Sequence, residues 1–504
     1  MRLNSRFFQQ RVFPPLTTQT KRRISKLSAL NEFQKKFPVT ITAIKEGLTI
    51  DDEFKAKIKP YNAPLPTFKT PALYMQVGQI ATIKEIILLA KQTNSTIIPV
   101  GANTNLVQLC RFDEAFNTNV NLIIFLNYSR KDIEYDYKTK QFICTPATTL
   151  SDIQNQLVMS QRRWDVDFSA KNATIGGIVS TNAGGQYKKA CESIEAYSIL
   201  GSDLKIHTVK PHPYNTSSMF PIGSKHTLNA SQGLCGIITD ISFNTEPRWQ
   251  TSYSAFIRVP VAQLNQFQQS LITLSDATLV ACELIDSNCF NANPNPHIPT
   301  IDEDEILLLC QFASTEDQLN HDEFWESICN QYPTISESII LSNSKKQEND
   351  FWSYRHHISD NNRAWANQNE LTYIGYDIDL QKKDIGLLLP LIRSRLKDIN
   401  ASLFCFGHSM QSNDKFTLHV NIAFPNHTSL TQKHISNLLI KLLRNKDVTF
   451  AAEHGGMGHK SIEDTIKVAS KSELEQSLNL IRQTDPEDIF KRDIKNRLVQ
   501  HLTK

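Results

Sequence analysis

The sequence predicts an α+β protein of more than one domain. Its 504 residues are too many for a single hydrophobic core, so two or three domains are expected. Segments with helical periodicity alternate with short β-branched, apolar segments, and glycine-rich loops are concentrated before Pro247. With 40% hydrophobic and 21% charged residues, the chain has the composition of an ordinary soluble globular protein.

The N-terminal part, residues 1–67, is predicted to be a basic arm and a helical segment that precede the first domain. Its first seven charged residues are all basic, and the first acidic residue is Glu32. Three interpretations of the arm stay open: a mitochondrial presequence, a surface for anionic lipid or a partner, and a disordered tail. We expect a cytoplasmic protein, with the mitochondrial matrix as the alternative location.

Composition argues against several classes of partner. The net charge of +3 is small beside 54 basic and 51 acidic residues, so a nucleic-acid partner is not expected. No apolar run approaches the ~20 residues that cross a bilayer, and membrane contact is therefore expected to be at most peripheral. The nine cysteines include no Cys-x-x-Cys pair and are expected to be reduced core residues.

The stretch "ATIKEIILLAKQTNSTIIPVGANTNLV", residues 81–107, predicts a helix, a strand and a loop in that order. Thr82 and Glu85 have the spacing of a capping box at the start of the helix. One face of this helix carries Ile83, Ile86, Ile87 and Ala90. Because the loop follows the carboxyl end of the strand "STIIPV", it is in a position to hold a ligand.

Two further glycine-rich segments follow, "DFSAKNATIGGIVSTNAGGQY" (167–187) and "SQGLCGIITDISF" (231–243). A single glycine pair is more often a structural turn than a binding site. Two pairs close together, downstream of another glycine- and asparagine-containing loop, favour a cradle for an extended cofactor, because no Cβ keeps the backbone away from it. Beyond a boundary near Glu246, amphipathic helices and strands alternate to about residue 449.

The stretch "GHSMQSNDKFTLHVN" places His408 and His419 eleven residues apart, on two predicted strands joined by a polar turn. The pair has two interpretations, metal ligands or ordinary strand histidines. Taken alone, the second is more typical, because two histidines without a third ligand make a weak metal signal.

Together and in this order, the segments resemble the FAD-dependent D-2-hydroxyacid dehydrogenases. This family includes D-2-hydroxyglutarate dehydrogenase, D-lactate dehydrogenase and the FAD subunit of glycolate oxidase. The resemblance runs from about residue 68 to about 492 and implies three parts. They are a vanillyl-alcohol-oxidase (PCMH) type FAD-binding domain over 68–248, an antiparallel-sheet substrate domain covered by helices over 249–449, and a segment over 450–504 that returns to the FAD domain.

The resemblance implies non-covalent FAD, held mainly by backbone N–H groups of the three loops. "PVGANTNL" (99–106) resembles Pro-x-Gly-Gly-Asn-Thr-Gly-Leu, with Ala102 and Asn105 where glycine is usual, so Ala102 is expected to need a negative φ. The cofactor-binding residues implied are Pro99, Gly101, Ala102, Asn103, Thr104, Asn105, Leu106, Thr174, Gly176, Gly177, Asn182, Gly185, Gly236, Ile237 and Ile238.

Substrate residues are implied by two further segments. "FWSYRHHISD" resembles the Trp-x-x-Arg segment, in which Arg355 would clamp the substrate carboxylate through its planar fork and Ser359 would contact the substrate. The alternative for Arg355 is a solvated helix residue. "YIGYDIDL" resembles Tyr-Lys-Tyr-Asp-Leu-Ser-Leu-Pro, with Gly375 where the family has a substrate-contacting lysine.

The histidine stretch resembles Gly-His-x-Gly-Asp-Gly-Asn-Leu-His-x-Asn, with a longer insert, and carries over Asn421 as a substrate contact. The resemblance implies a divalent metal, zinc or manganese, on His408, His419 and Glu453. His454 in "AEHGGMGHK" would be the catalytic base. "DPEDIFKRD" resembles the family's closing segment, with Lys491 where asparagine is usual.

The reaction implied is oxidation of a small D-2-hydroxyacid, of the D-lactate or D-2-hydroxyglutarate type, to the 2-oxoacid, with a hydride passing to flavin N5. An electron-transfer flavoprotein, a quinone, a cytochrome or oxygen would reoxidise the flavin. Two alternatives stay open. One is a diverged flavin-binding protein that acts as a binding or regulatory module, and the other is an active enzyme without the metal and with another substrate.

Overall fold

A computed structural model describes residues 25–37, 42–44, 72–104, 118–126, 133–211, 230–275, 278–298, 300–317, 321–409, 415–426, 432–443, 449–450 and 471–502. They contain eight cysteines, each of them free. Within the same ranges, no helix is long and apolar enough to cross a membrane.

The first layer of the N-terminal half is a small sheet with the strand order β1-β2-β4-β3. Its elements are α1 (Lys26–Lys36), β1 (Thr42–Ile44), β2 (Ala72–Val77), α2 (Ile80–Thr93), β3 (Thr96–Val100) and β4 (Asn121–Leu126). Strand β4 pairs in parallel with both β2 and β3, and β1 pairs antiparallel to β2. Because parallel strands share one carboxyl edge, the loop after β3 lies at that edge.

Helix α2 has the predicted buried face, since Ile83, Ile86, Ile87 and Ala90 are all fully buried. The predicted capping box at Thr82 is wrong. The helix begins at Ile80, its N-cap is Gln79, and no side chain caps it. Ile80 packs against the hydrophobic core of this sheet, so packing of the first turn extends the helix beyond the position that the local pattern indicates.

The second layer is a five-stranded sheet with the order β5-β6-β10-β8-β9, joined by helices and by a separate two-stranded ribbon. Its elements are β5 (Ile133–Asp136), β6 (Gln141–Cys144), α3 (Leu150–Met159), β7 (Arg162–Arg163), α4 (Ile175–Thr181), α5 (Ala190–Ser193), β8 (Ile194–Leu200), β9 (Ile206–Val209), β10 (Ile237–Phe243) and β11 (Glu246–Pro247). Strands β7 and β11 form the ribbon. All pairs in the five-stranded sheet are antiparallel.

An eight-stranded antiparallel sheet dominates the second half, with the order β15-β12-β14-β13-β17-β18-β16-β19. Its strands are β12 (Thr251–Pro260), β13 (Leu279–Asp286), β14 (Glu305–Ser314), β15 (Ile340–Leu341), β16 (Leu371–Gln381), β17 (Ser402–Ser409), β18 (Lys415–Pro425) and β19 (Thr449–Phe450). The helices are α6 (Leu264–Leu274), α7 (Ser287–Ala292), α8 (Asp322–Gln331), α9 (Pro333–Ser336), α10 (Lys345–Gln368), α11 (Ile385–Lys397) and α12 (Gln432–Leu443). The predicted α+β architecture is therefore confirmed.

The last described segment contains α13 (Lys471–Thr484) and α14 (Arg492–Leu502) and contacts the first layer. Phe490 forms a parallel bridge with Ile97 of β3, and Ile489 and Phe490 are buried in the core of that layer. The C-terminal end thus lies against the strand that leads into the first glycine-rich loop.

Candidate functional site

The two histidines of the hairpin lie on the same face of the large sheet. Strands β17 and β18 pair so that His408 is opposite Thr417 and His419 is opposite Phe406. Phe406 precedes His408 by two residues, and Thr417 precedes His419 by two residues. Because successive side chains of a strand point to opposite faces, residues two apart share a face, and both histidines therefore lie on the same face. Their ring centroids are 5.9 Å apart. The strand pairing that the sequence predicted for "LFCFGH" and "LHVNIAF" is confirmed, although residues 410–414 lie outside the described part.

Asp377 fixes the orientation of the His419 imidazole. It lies on β16, directly opposite His419 on β18, and its Oδ1 accepts a hydrogen bond from His419 Nδ1 at 2.8 Å. Only 5% of Asp377 is exposed. A carboxylate on Nδ1 keeps the proton there, so Nε2 carries the lone pair that a metal ion or a substrate proton requires.

Arg355 and Glu283 form a buried ion pair beside His408. Arg355 Nε donates to Glu283 Oε2 at 2.8 Å, and the other carboxylate oxygen is 3.8 Å from His408 Nδ1. Arg355 is 8% exposed and its Cζ lies 4.8 Å from the ring centroid of Phe406, so it is not a solvated helix residue. Because a guanidinium has five N–H donors, the bond from Nε leaves the two terminal amino groups to bind an anion.

A row of polar side chains crosses four strands at this level of the sheet. Register places Glu283, His408, Thr417 and Asp379 side by side. Thr417 Oγ1 donates to Asp379 Oδ1 at 2.5 Å, and Lys189 Nζ donates to Asp379 Oδ2 at 2.7 Å. Lys189 comes from the N-terminal half, and the side chains of this ion pair are only 1% and 2% exposed. The row therefore ends at the junction between the two halves of the chain.

A second set of hydrogen bonds joins the same two halves. Gln186 Nε2 and Tyr187 OH both donate to Gln311 Oε1 on β14, at 2.9 and 2.8 Å. Gln311 Nε2 donates to Glu348 Oε1 of α10 at 2.7 Å. The carboxyl end of the second glycine-rich segment is thus bound to the sheet face that carries the histidines.

The first and second glycine-rich loops are in direct contact. A Cβ on Gly101 would lie 2.4 Å from Thr174 Oγ1 and 3.6 Å from Gly177 Cα, so only glycine fits at this position. Thr174 caps helix α4, because its side chain accepts a hydrogen bond from the Gly177 N–H at 3.4 Å. Because Gly101 and Gly177 have no Cβ at this contact, the two backbones approach closely and form a cradle that suits a phosphate-bearing group.

Ala102, which stands where the family motif has glycine, causes no backbone strain. The positive φ of this loop, 55°, is that of the next residue, Asn103. Asparagine tolerates the left-handed region better than most residues do. Pro99, Gly101 and Thr104 lie in the same described stretch, whereas Asn105 and Leu106 lie outside the described residues.

At three other glycines it is the chain itself that makes the close approach. A Cβ on Gly176 would lie 2.7 Å from Pro146 Cβ, one on Gly185 would lie 2.3 Å from the carbonyl oxygen of Asp167, and one on Gly236 would lie 2.4 Å from that of Leu200. The sequence favoured a cofactor contact at these glycines, and that contact stays a prediction. Packing of the chain against itself is sufficient to require glycine here, against the Pro146 ring at Gly176 and against backbone carbonyl oxygens at the other two positions.

Three more of the predicted cofactor residues have structural roles. Asn182 ends α4 with a φ of 51°, and its Oδ1 accepts a hydrogen bond from Cys191 N–H at 2.9 Å. Ile237 and Ile238 begin β10 and pair with Leu200 and Ile199 of β8. Contact of these residues with FAD stays a prediction.

The remaining predicted substrate residues lie on helix α10 and strand β18. Ser359 is half-buried on α10, four residues after Arg355 and therefore on the same helical face. Asn421 is opposite Gly375 across β16 and β18, and a Cβ on Gly375 would lie 2.5 Å from Asn421 Oδ1. The amide of Asn421 thus extends over the position at which the family has a lysine side chain.

The metal site and the base are incomplete in the described part of the chain. Glu453 and His454 lie outside it. Among the described residues, no group of three or more His, Cys, Asp or Glu side chains has the geometry to hold a metal ion. The divalent metal and the base therefore stay predictions, and of the predicted ligands His408 and His419 are brought together.

Several residues of this site were missed by sequence reasoning: Lys189, Glu283, Asp377 and Asp379. The available signal was an acidic residue inside an apolar strand pattern, as in "LVACELID" and "YIGYDIDL". A buried carboxylate in a strand needs a charged or hydrogen-bonding partner, and its presence predicts a polar site on that sheet face.

Comparison with known proteins agrees with this arrangement. Residues 71–209 match the family described as FAD binding domain, and residues 250–462 match the C-terminal domain of FAD linked oxidases. The chain belongs to the FAD-linked oxidases. The observed glycine-loop cradle and the large antiparallel sheet are within the two matched segments of this FAD-linked oxidase.

The curated relatives of this FAD-linked oxidase are distant from it in sequence. It is 23% identical over 396 residues to the mitochondrial D-2-hydroxyglutarate dehydrogenase of Arabidopsis thaliana, covering 74% of this chain and 66% of that protein, just under two thirds. It is 21% identical over 407 residues to a D-2-hydroxyglutarate–pyruvate transhydrogenase of Saccharomyces cerevisiae, covering 75% of this chain and 77% of that protein.

Two solved structures of alkyldihydroxyacetonephosphate synthase superpose with TM-scores of 0.60 and 0.60, at 13% and 14% identity. The match covers 92% of this chain in both cases, and 90% and 92% of the synthase chains. At such identities the likeness shows the fold alone, and the PCMH-type flavoenzyme fold predicted from the sequence is confirmed.

Proposed function

We propose that this FAD-linked oxidase oxidises a small D-2-hydroxyacid to the corresponding 2-oxoacid. The observation that supports this most directly is the convergence of Arg355, His408 and His419 on one sheet face, onto which the segment after the second glycine-rich loop is docked. The two relatives named after D-2-hydroxyglutarate agree with the substrate class. When bound, FAD supplies the hydride acceptor.

Arg355 binds the substrate carboxylate in this proposal. Glu283 accepts the hydrogen bond from Nε and so fixes the plane of the guanidinium, and the ring of Phe406 lies against it at 4.8 Å from Cζ. The two terminal amino groups then present a planar fork to both carboxylate oxygens. Asn421 and Ser359 are the proposed polar contacts to the rest of the substrate.

The proton of the substrate hydroxyl passes to His454, the base that the family resemblance implies. An imidazole suits this step because it titrates near neutral pH. His419, oriented through Nδ1 by Asp377, and His408 are the described part of the proposed metal site, with Glu453 as the third ligand. A divalent ion there would supply a Lewis acid for the hydroxyl oxygen.

Gly375 favours a monocarboxylate of the D-lactate type over a dicarboxylate. The family carries a substrate-contacting lysine at this position, and in this chain the amide of Asn421 lies over the glycine instead. In this proposal Arg355 still binds the first carboxylate of the substrate. A second carboxylate would lack the cation that the lysine provides, so a dicarboxylate would bind less tightly. The reduced flavin is then reoxidised by an electron-transfer flavoprotein, a quinone or a cytochrome.

Flavin reduction under anaerobic conditions tests the proposal. The purified protein, reconstituted with FAD, is mixed with D-lactate, D-2-hydroxyglutarate, glycolate and longer hydroxyacids, and loss of flavin absorbance is followed. Bleaching by a D-acid, and not by its L-enantiomer, is the expected result. If no acid of the panel bleaches bound FAD, the chain is instead a diverged flavin-binding module.

Of the two expected locations, the mitochondrial matrix is supported by the name of the Arabidopsis relative and by the basic composition of residues 1–31. A fluorescent reporter fused behind residues 1–31 should enter mitochondria. A reporter that stays in the cytoplasm would remove this location and leave the enzymatic proposal unchanged.

A further inference from the structure

The sheet face that carries the histidines continues for two more rows of side chains beyond them. Asn421 lies opposite Gly375 in the first of these rows, and Tyr373 belongs to the second. The N-terminal half is attached toward the other end of β16, through Asp379. Because a strand rises about 3.3 Å per residue, the Tyr373 row lies about 20 Å from that junction. The two rows therefore lead away from the N-terminal half.

The described residues leave the space above these rows open. Asn421, Gly375 and Tyr373 are each half-buried, whereas Val420 and Ile422, which point to the opposite face of β18, are fully buried. Strand β18 is an inner strand, between β17 and β16, so the partial exposure of Asn421 does not come from a sheet edge. An opening therefore lies above the sheet, over Asn421 and Gly375.

Gly375 adds no side chain to this opening. A Cβ at this position would lie 2.5 Å from Asn421 Oδ1, so the Asn421 amide already occupies the level at which a side chain would begin. A larger residue would have to displace the amide into the opening. The combination of glycine and asparagine therefore leaves room for a ligand group that a longer side chain would exclude.

The far end of the opening is aromatic. The ring centroid of Tyr373 lies 5.9 Å from that of Phe404, and the ring of Trp365 on α10 lies 5.2 Å from the same phenyl ring. Arg363 Cζ is 5.9 Å from the Tyr373 centroid, and its Nη1 is 3.9 Å from Asp360 Oδ1. The charge of this arginine is thus met by an aromatic face and a carboxylate. What the end of the opening offers to a ligand is ring surface.

We propose that this opening binds the side chain of the substrate, and that the substrate is a D-2-hydroxyacid with an aromatic or bulky apolar side chain. With the carboxylate on Arg355, the side chain extends over Asn421 and Gly375 and ends against the ring of Tyr373. Such a group gains from the contact, because it leaves water for ring surface. The inference rests on the proposed hydroxyacid oxidation, and it names the side chain that the proposed monocarboxylate carries.

Binding of 2-oxoacids tests the opening without turnover. The oxidised, FAD-loaded protein is titrated with pyruvate, phenylpyruvate and 2-oxoglutarate, and the change in flavin absorbance gives each dissociation constant. Phenylpyruvate should bind about tenfold to hundredfold more tightly than pyruvate, as expected for burial of an aromatic side chain. In turnover, kcat/KM for D-phenyllactate should exceed that for D-lactate by a similar factor.

The variant Gly375→Ala tests the opening itself. Its Cβ displaces the Asn421 amide, so the ratio of phenylpyruvate affinity to pyruvate affinity should fall toward one. Tyr373→Leu removes the ring and should lower the same ratio, which keeps the test valid if Gly375→Ala does not retain FAD. Thr372→Ala is the matched control, because Thr372 points to the opposite face of β16, where its Oγ1 donates to Asn426 Oδ1 at 2.7 Å. This control should keep the wild-type ratio.

Equal binding of pyruvate and phenylpyruvate to the wild-type protein would overturn the inference. So would tightest binding of 2-oxoglutarate that is lost in Arg363→Gln, because a second carboxylate would then occupy the opening. If D-lactate bleaches the flavin and D-phenyllactate does not, the inference fails and the proposed function stands. If no hydroxyacid bleaches the flavin, both fail.

Discussion

At the scale of single residues, the chemistry of the His419 ring depends on a neighbour that the sequence did not mark as functional. Asp377 holds the Nδ1 proton through a 2.8 Å hydrogen bond on a sheet face from which water is largely excluded. Without the carboxylate, the other tautomer and other ring orientations become accessible. Asp377 is a positioning residue, since it acts through His419.

Replacing Asp377 with asparagine should lower the rate of flavin reduction by the active hydroxyacid about tenfold to hundredfold, the range typical of residues that orient a histidine. FAD affinity should not change. The rate is measured by anaerobic stopped-flow absorbance, with Asp360→Asn, an exposed carboxylate on α10, as control. An unchanged rate in Asp377→Asn would show that the hydrogen bond does not set the tautomer that the reaction uses.

His356, beside Arg355 on α10, gives the site region a defined pH response. Burial lowers the pKa of His356 from 6.5 to about 4, and the positive charge of Arg355 acts in the same direction. Between pH 6.5 and about 4 the unfolded chain therefore binds a proton that the folded protein does not. The stability that neutral His356 contributes is therefore complete above pH 6.5 and is lost as the pH falls toward about 4.

The free energy of unfolding of the wild-type protein should therefore decrease from pH 6.5 toward pH 4 more steeply than that of His356→Gln. Urea titrations at several pH values measure both slopes, and their difference should approach about one proton. The variant His297→Gln, which changes an exposed histidine, should retain the wild-type slope. Parallel slopes for wild type and His356→Gln would contradict the assignment.

At the scale of secondary-structure elements, strand β16 joins the two halves of the chain. Its residues on one face are Gly375, Asp377 and Asp379, and each meets a different partner: Asn421, His419, and the pair Thr417 and Lys189. Alternate residues of this one strand therefore leave room for the Asn421 amide, orient the His419 imidazole and attach the sheet to the N-terminal half.

Lys189→Met and Asp379→Ser should each lower the free energy of unfolding by ~3–5 kcal/mol, because each leaves a buried charge without its partner. The double variant should lose much less than the sum. Denaturant unfolding of the four proteins measures the coupling. Lys397→Met is the control, since the Lys397–Glu303 pair is exposed at 60% and 64% and its loss should cost at most about 1 kcal/mol. Additive losses would show that the two groups do not interact energetically.

At the scale of the whole molecule, the glycine-loop half and the large sheet are attached through buried polar contacts. The Lys189–Asp379 pair and the Gln186–Gln311–Glu348 chain both begin in residues 186–189, at the carboxyl end of the second glycine-rich segment. Binding of a cofactor to this segment is therefore expected to stabilise the large sheet as well as the FAD-binding domain.

Scanning calorimetry of apoprotein and FAD-loaded protein tests this coupling. With free FAD at about a hundred times its dissociation constant, the free energy of unfolding should rise by about 2.7 kcal/mol. The protein should unfold in one transition that moves to higher temperature as a whole. Two transitions, of which only one responds to FAD, would show that the two halves unfold independently.

Local sequence patterns were sufficient for the fold class, for the buried face of α2, for the hairpin that carries His408 and His419, and for the glycine-rich loops. These features depend on the periodicity of neighbouring residues or on the absence of a Cβ, and both can be read directly from the chain. The start of α2 was not predictable in this way, because the packing of Ile80 extends the helix beyond its local signal.

The tertiary structure alone decided which residues meet. Asp377 with His419, Glu283 with Arg355, and Lys189 with Asp379 are separated by 42, 72 and 190 residues. Strand register and domain docking bring these pairs together, and no local pattern encodes either. For the same reason the sequence could not show that Gly176, Gly185 and Gly236 also leave space for other parts of the folded chain, at Pro146, Asp167 and Leu200.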